Sequence, residues 1–95
     1  KPSFACLATR FPYGTRITEE KLRAVEAAEQ LLFELGFLQF RVRCHGDIAR
    51  IEVLPAQLPK LVAERADIIS RFHALGFRYV TMDLEGFRSG SMDGK

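Results

Sequence analysis

Residues 40–53 alternate between apolar and polar side chains on both sides of a Gly46-Asp47 dipeptide. A period of two is typical of β-strands, and Gly-Asp between two such runs is typical of a two-residue hairpin turn. Such a turn pairs Phe40 with Val53, Arg41 with Glu52, Val42 with Ile51 and Arg43 with Arg50. The last pair is unfavourable unless an anion or an acidic group lies between the two arginines. The chain is therefore restricted to folds that contain an antiparallel hairpin with one apolar face.

The sequence on either side of the hairpin predicts helices. Thr18 can cap a helix whose first turn is acidic, and apolar residues at helical spacing continue to Gly36, a natural helix terminator. We therefore predict a helix over residues 19–35. A second helix is predicted with its entry at Pro55 and Pro59, a broad apolar stripe from Leu58 to Leu75, and its end at Gly76.

A third alternating run, residues 78–84, predicts one more strand. The element order α-β-β-α-β favours an α+β fold in which two helices pack on one face of a small, mainly antiparallel sheet. The order would become ferredoxin-like if an N-terminal strand joined the sheet. We assign residues 1–16 to an N-terminal loop segment, residues 17–86 to the α+β domain and residues 87–95 to a C-terminal tail.

The composition is that of an ordinary globular domain of 95 residues, with 47% hydrophobic residues and a net charge of +2. No apolar stretch approaches the roughly 18 residues that a membrane span needs, and the charge is too small for a broad nucleic-acid footprint. Two cysteines are too few to staple a small secreted domain. We therefore expect a cytoplasmic protein that binds neither membrane nor nucleic acid. Because its first residue is Lys1, we expect a piece of a longer protein.

The face of the predicted sheet that the helices leave uncovered is polar. It carries Arg41, Arg43, Arg50, Glu52, Tyr79, Thr81 and Asp83. Such a face is commonly just solvated. Three arginines on two adjacent strands nevertheless suit bidentate binding of a phosphate or a carboxylate, and both interpretations stay open. RNA binding is disfavoured because the face lacks pairs of exposed aromatic residues for base stacking.

The N-terminal segment contains the candidate nucleophile Cys6. Pro2 and Pro12 restrict its backbone, so we predict a partly extended loop without helix. A thiol reacts as its thiolate, and a nearby cation such as Arg10 lowers the thiol pKa. The alternative is a small buried hydrophobic residue, which is the commoner role of a free cysteine.

The sequence gives little support for a metal site. Cys44 and His45 are adjacent on a strand, so their side chains point apart, and no second ligand pair follows at zinc spacing. Glu26 and Glu29 lie three residues apart on the first helix, a spacing that usually indicates a solvated face.

Three segments carry motifs that together are specific. They are residues 1–14 with the run Cys-Leu-Ala-Thr-Arg-Phe-Pro-Tyr-Gly, the hairpin residues 41–53, and residues 79–92 with the run Leu-Glu-Gly-Phe-Arg-Ser-Gly-Ser-Met. In this order they closely resemble the C-terminal half of the ATP-dependent sacrificial sulfur transferases, the LarE-type enzymes. The resemblance spans essentially the whole chain.

The resemblance implies an ATP pyrophosphatase (PP-loop) domain ahead of this region. That domain adenylates a carboxylate of a pyridinium biscarboxylate mononucleotide during synthesis of the nickel-pincer cofactor of lactate racemase. In single-cysteine members of the family, a cysteine that matches Cys6 attacks the acyl-adenylate, gives up its sulfur and becomes dehydroalanine. The Ser-Gly-Gly-Val-Asp-Ser type of ATP loop is absent here. ATP and Mg²⁺ are therefore expected in the full-length enzyme and not on this region alone.

The resemblance also implies roles for further residues. Arg10 would be a cation near the thiolate, and Thr9 stands where a family serine is expected. Arg41 and Arg43 match family arginines near the phosphate or substrate site. The remaining candidates are Arg88 and Ser89, in a segment that looks like a phosphate-binding loop, and Glu29 and Glu52, as positions for a divalent cation. Two cysteines argue against the three-cysteine iron–sulfur cluster of some members.

Two functions are therefore in competition. In the first, the chain is the sulfur-donating half of a transferase, and its partners are its own PP-loop domain, a small-molecule nucleotide substrate and further copies in a homo-oligomer. In the second, the chain is an interaction module whose polar sheet face builds the homo-oligomer, and Cys6 has no chemical role.

Overall fold

The structure is a computed structural model that describes residues 7–88, so Cys6 and Ser89 lie outside the described residues. The elements in chain order are α1 (Glu19–Glu34), β1 (Phe40–His45), β2 (Ile48–Val53), a 3₁₀ turn (Pro55–Gln57), α2 (Leu58–Ala63), α3 (Arg65–Ala74) and β3 (Tyr79–Met82). The sheet has the strand order β1-β2-β3. The predicted α+β fold class and its order of elements are confirmed.

Helix α1 begins and ends close to the predicted positions. Oγ1 of Thr18 accepts a hydrogen bond of 3.1 Å from the backbone N–H of Lys21, which satisfies one donor of the first turn. At the other end, Gly36 has a φ of +95°, a left-handed conformation that glycine adopts without strain. The buried side chains of α1 pack on β1 and include Val25, Ala28 and Leu32.

The hairpin has the register that the two-residue turn predicts. Phe40 faces Val53, Arg41 faces Glu52, Val42 faces Ile51 and Arg43 faces Arg50. The inward-facing apolar residues of both strands belong to the core, which the helices α1, α2 and α3 complete, whereas Ile48 is exposed. The period-two pattern therefore determined both the pairing and the face that is buried.

The second predicted helix is two helices. Glu64, with φ −100° and ψ 16°, ends α2 and precedes α3. No glycine or proline marks this break, so the sequence pattern gave no signal for it. Strand β3 is also shorter than the predicted 78–84, and Leu84 is 76% exposed because the chain turns after Asp83.

The sheet is mixed, whereas the sequence predicted a mainly antiparallel one. Strands β1 and β2 are antiparallel, but β2 and β3 are parallel. The connection from β2 to β3 passes through α2 and α3, and a crossover of this type returns the chain in the same direction. Within residues 7–88 no N-terminal strand joins the sheet, so the ferredoxin-like order does not form there.

The N-terminal residues contribute to the core rather than forming only a loop. Leu7 and Ala8 are helical, which differs from the prediction for this segment, and the side chains of Leu7 and Phe11 are buried. The backbone N–H of Cys44 donates to the carbonyl of Arg10 at 2.8 Å. Residues 7–11, called the edge segment below, therefore lie along the edge of β1 that does not pair with β2 and satisfy its N–H donor at Cys44. None of the helices within residues 7–88 has both the length and the hydropathy needed to cross a bilayer.

Candidate functional site

Arg10 of the edge segment forms a buried ion pair with Glu29 of α1. Nε of Arg10 donates to Oε2 of Glu29 at 2.8 Å, and Nη2 donates to Oε1 at 3.1 Å. The side chains are 6% and 9% exposed. Oε2 of Glu29 also accepts from the backbone N–H of Val42 at 2.9 Å. The charge of the Arg10 guanidinium is therefore balanced locally, in the bidentate geometry that makes such pairs strong.

On the polar face of the sheet, the carboxylate of Glu52 lies between two arginines. It accepts from Arg43 at 3.2 and 3.3 Å and from Nη1 of Arg50 at 2.9 Å. Nη1 of Arg50 also donates to Oδ2 of Asp83 at 2.7 Å. The sequence required an anion or an acidic group between Arg43 and Arg50. Glu52 is that acidic group, so this prediction is confirmed. Arg43 and Glu52 are buried, so this part of the polar face differs from the solvated face that the first interpretation of the sequence proposed.

Thr9 joins the two ion-pair clusters. Nη1 of Arg43 donates to its backbone carbonyl at 3.1 Å, and Nη1 of Arg10 donates to its Oγ1 at 3.0 Å. Thr9 therefore accepts hydrogen bonds from two arginines, Arg43 and Arg10, and each of these arginines belongs to a different ion pair.

Arg41 differs from these arginines. Nη1 donates to the carbonyl of Phe40 at 3.1 Å, and the guanidinium lies 5.3 Å from the centre of the Phe87 ring. Among residues 7–88 no carboxylate forms an ion pair with it, and burial, followed by the charge of Arg10, lowers the pKa of Arg41. A partly buried guanidinium without a carboxylate partner is suited to binding an anion.

The predicted site residues line two cavities rather than one. Arg41, Glu29 and Arg10 line a cavity of about 670 Å³ between α1 and β1, together with Arg23 and Phe33. A second cavity, of about 310 Å³, lies over the polar sheet face and is lined by Thr9, Arg10, Arg43, Arg50, Glu52, Asp83, His45 and Arg88. Arg10 lines both cavities. The predicted site residues that the structure describes therefore lie around Arg10, but they belong to two separate cavities.

Sequence reasoning missed some residues of these cavities. Arg23 lies on α1 among ordinary surface charges, and no local pattern marks it as facing a cavity. Arg88, which the sequence did select, is exposed and pairs with Glu85 at 3.1 Å.

His45 and Cys44 point to opposite faces of β1, as the sequence predicted. Nε2 of His45 accepts from Nε of Arg50 at 3.3 Å, and burial together with Arg50 and Arg43 lowers the pKa of His45. The Cys44 thiol lies in the core, donates to the carbonyl of Gly46 at 3.5 Å, and has a pKa that burial raises. In the described part of the chain, no group of three His, Cys, Asp or Glu residues is arranged to hold a metal ion.

These features define a small α+β domain whose edge segment, first helix and strands carry paired arginines and carboxylates. The chain is 45% identical over 93 residues to pyridinium-3,5-bisthiocarboxylic acid mononucleotide synthase of Lactiplantibacillus plantarum. It is 45% identical over 95 residues to an uncharacterised protein of Synechocystis and 35% identical over 88 residues to an uncharacterised protein of Methanocaldococcus jannaschii. No protein-family model matches it.

The resemblance to the LarE-type enzymes that the three motifs indicated is thus confirmed over almost the whole of this chain. The three matches cover 98%, 98% and 93% of this chain, in the order given, but only 34%, 35% and 34% of the relatives. The chain thus spans about a third of the length of the curated relatives that it matches, which is consistent with their C-terminal domain.

Proposed function

We propose that this chain is the sulfur-donating, C-terminal part of an ATP-dependent sulfur transferase. Its substrate is an adenylated pyridinium carboxylate mononucleotide. The observation that carries the proposal is the 45% identity, over 98% of the chain, to a synthase whose name specifies a pyridinium bisthiocarboxylic acid mononucleotide. A thiocarboxylic acid holds sulfur where a carboxylic acid holds oxygen, so its synthesis requires a sulfur donor, and Cys6 is our candidate for it.

The proposed reaction has two steps. The thiolate of Cys6 attacks the carbonyl carbon of the acyl-adenylate, which forms a C–S bond and releases AMP as the C–O bond breaks. Removal of the α-proton of the cysteine then breaks its Cβ–S bond. The sulfur leaves as the thiocarboxylate, and residue 6 becomes dehydroalanine. Adenylation with ATP and Mg²⁺ belongs to a domain outside the region that this chain matches.

Arg41 is the residue that we propose for binding the substrate's phosphate. Its guanidinium has no carboxylate partner within residues 7–88, and it lines the cavity of about 670 Å³. Arg43, which the family resemblance also selects, is already bound to Glu52 and Thr9 and is less available to a ligand. A hydrogen bond to a charged group contributes about 1.5–3 kcal/mol. We expect Arg41→Gln in the full-length protein to weaken nucleotide binding about 10- to 100-fold.

Arg78→Gln is the matched control for Arg41→Gln, because Arg78 lies over the exposed Tyr79 ring and lines neither cavity. Calorimetric titration with the mononucleotide measures both variants. Equal affinities for the two variants would contradict the role of Arg41.

The donor role is tested by intact mass spectrometry of the full-length protein after one turnover. Conversion of cysteine to dehydroalanine removes one sulfur and two hydrogens, so the expected change is a loss of about 34 Da, distinct from the gain that oxidation produces. Cys6→Ala is expected to abolish sulfur transfer and leave adenylate formation unchanged, whereas Cys44→Ala keeps the mass loss because Cys44 is buried in the core. Sulfur transfer by Cys6→Ala would refute the donor role.

Homo-oligomerisation through the polar sheet face remains a second prediction. Arg43 and Glu52 are buried beneath the edge segment, so a second copy has access mainly to the exposed part of this face, including Tyr79 and Thr81. Light scattering before and after Thr81→Arg measures the association, and a chain that is monomeric throughout contradicts this interface.

A further inference from the structure

We propose that Glu29 and Glu52 are positioning residues, which hold the segment next to the donor cysteine through Arg10 and Arg43. This inference rests on the proposed function and deepens it. It replaces the role of divalent-cation ligands that the family resemblance suggested for the two carboxylates. Neither carboxylate needs to contact the substrate for this role.

Contacts from several parts of the fold hold the edge segment. Leu7 and Phe11 insert their side chains into the core at its two ends. Between them, the Arg10 carbonyl accepts from the N–H of Cys44 at 2.8 Å, and the Thr9 carbonyl accepts from Arg43 at 3.1 Å. The backbone is thus fixed at the two consecutive carbonyls of residues 9 and 10, three and four positions after residue 6.

Glu29 completes the first of these attachments. Its two oxygens accept from Arg10, and Oε2 also accepts from the N–H of Val42 on β1. One carboxylate therefore joins helix α1, strand β1 and the edge segment. A cation bound to Glu29 would have to displace the guanidinium of Arg10, whose fork already occupies both oxygens, so the geometry favours the positioning role.

Glu52 completes the second attachment. Arg43 faces Arg50 across the hairpin, and the carboxylate between them keeps both guanidiniums in place. The remaining Nη1 group of Arg43 is then directed to the Thr9 carbonyl. The two attachments reach consecutive residues of the edge segment from different elements of the fold.

The pairing with Glu29 also changes the role of Arg10. The sequence suggested that its charge lowers the pKa of the Cys6 thiol, but a bidentate carboxylate balances that charge. Its contribution to sulfur transfer is therefore to restrict the backbone that carries the donor. Holding a nucleophile near its target converts an improbable encounter into a local step, and small misplacements lower rates strongly.

Glu29→Gln in the full-length protein tests this inference. Glutamine keeps the size of the side chain and an oxygen for the N–H of Val42, but it lacks the charge and the second acceptor for Arg10. We expect the single-turnover rate of sulfur transfer to fall about tenfold or more, with adenylate formation unchanged. Hydrogen exchange, measured by mass spectrometry, is expected to become faster in the peptide that contains Cys44, because its N–H loses the Arg10 carbonyl.

Two further measurements separate positioning from the other roles. The pH dependence of Cys6 alkylation is expected to keep its midpoint in the double variant Arg10→Gln/Glu29→Gln, since the ion pair that it removes has no net charge. The variants Arg10→Gln and Glu29→Gln are expected to lower the rate of sulfur transfer by the same factor singly and in combination, because both remove the same interaction. Glu34→Gln is the matched control, as Glu34 lies at the exposed end of the same helix and accepts only from Gln30 in the described structure.

Wild-type transfer rates and wild-type hydrogen exchange in Glu29→Gln would overturn the inference. A weakened affinity of Glu29→Gln for Mg²⁺ with unchanged hydrogen exchange would also overturn it, because that result indicates that Glu29 is a cation ligand. Arg10→Lys, which keeps the charge but loses the fork, provides a milder variant if Glu29→Gln does not fold, and it is expected to have an intermediate transfer rate. If the wild-type protein forms no dehydroalanine, the proposed function fails, while the exchange experiment still reports on the attachment itself.

Discussion

The substitution Glu52→Gln removes the carboxylate that forms a buried ion pair with Arg43. The side chains of Glu52 and Arg43 are 7% and 6% exposed, so the remaining guanidinium would be buried, opposite the like charge of Arg50. Removing one partner of a buried ion pair costs about 3–5 kcal/mol, because the other charge is left without compensation.

The loss is expected at the lower end of this range, at about 3 kcal/mol in the free energy of unfolding. Arg50 is 34% exposed and keeps its contact of 2.7 Å with Asp83, so water and that carboxylate screen one of the two guanidiniums. In a domain of this size, 1 kcal/mol shifts the midpoint of thermal unfolding by about 4–8 °C, which gives a decrease of about 12–24 °C.

Urea and thermal unfolding followed by far-ultraviolet circular dichroism measure the effect. Arg23→Gln breaks an ion pair whose side chains are 76% and 75% exposed and serves as the control, with an expected change within about 0.5 kcal/mol. A loss for Glu52→Gln no larger than that of the control would refute the argument that this carboxylate compensates the buried charge of Arg43 and the half-buried charge of Arg50. Adding Arg43→Met to Glu52→Gln should recover part of the loss, because it removes the uncompensated guanidinium.

Two further predictions concern pH and the backbone. The pKa of His45 is lowered in the folded state by burial and by Arg50, so the unfolded chain binds the proton more tightly. Stability is therefore expected to fall as the pH falls from about 6.5 towards the folded pKa, and urea unfolding should show a smaller pH slope for His45→Gln, whereas an unchanged slope contradicts this. Gly86 and Gly14 have φ of +81° and +82°, and an added Cβ would lie 2.7 Å from the Val53 carbonyl only at Gly86. Both substitutions share a cost of about 1–2 kcal/mol for an alanine in the left-handed conformation. Gly86→Ala should lower the free energy of unfolding by at least about 1 kcal/mol more than Gly14→Ala, because of the steric overlap. Equal losses for the two variants would contradict the steric argument.

Elements specified by neighbouring residues were predicted well. The cap at Thr18 and the terminator at Gly36 placed α1, and the Gly46-Asp47 turn set the whole register of the hairpin. The break at Glu64 and the parallel pairing of β3 were not predicted, because neither has a local signal. The first lacks a glycine or proline, and the second depends on the path of the chain through α2 and α3.

The candidate site shows the same division. The sequence selected Arg10, Glu29, Arg43 and Glu52 individually, and the hairpin register alone implied that an anion or an acidic group would lie between Arg43 and Arg50. It gave no sign that Arg10 pairs with Glu29, since these residues are 19 positions apart and meet only when the edge segment lies along β1.

By itself, then, the sequence determined the resemblance to the LarE-type family, the α+β class, the hairpin register and the residue types of the candidate site. Periodicity, caps and turns act over a few residues, and motifs keep their order along the chain whatever the fold. The tertiary structure decided which charges are balanced and which are available, because burial and pairing between distant residues depend on how the elements pack. It paired Arg10 with Glu29 and Arg43 with Glu52, and among the candidate site arginines it left Arg41 without a carboxylate partner in the described part of the chain.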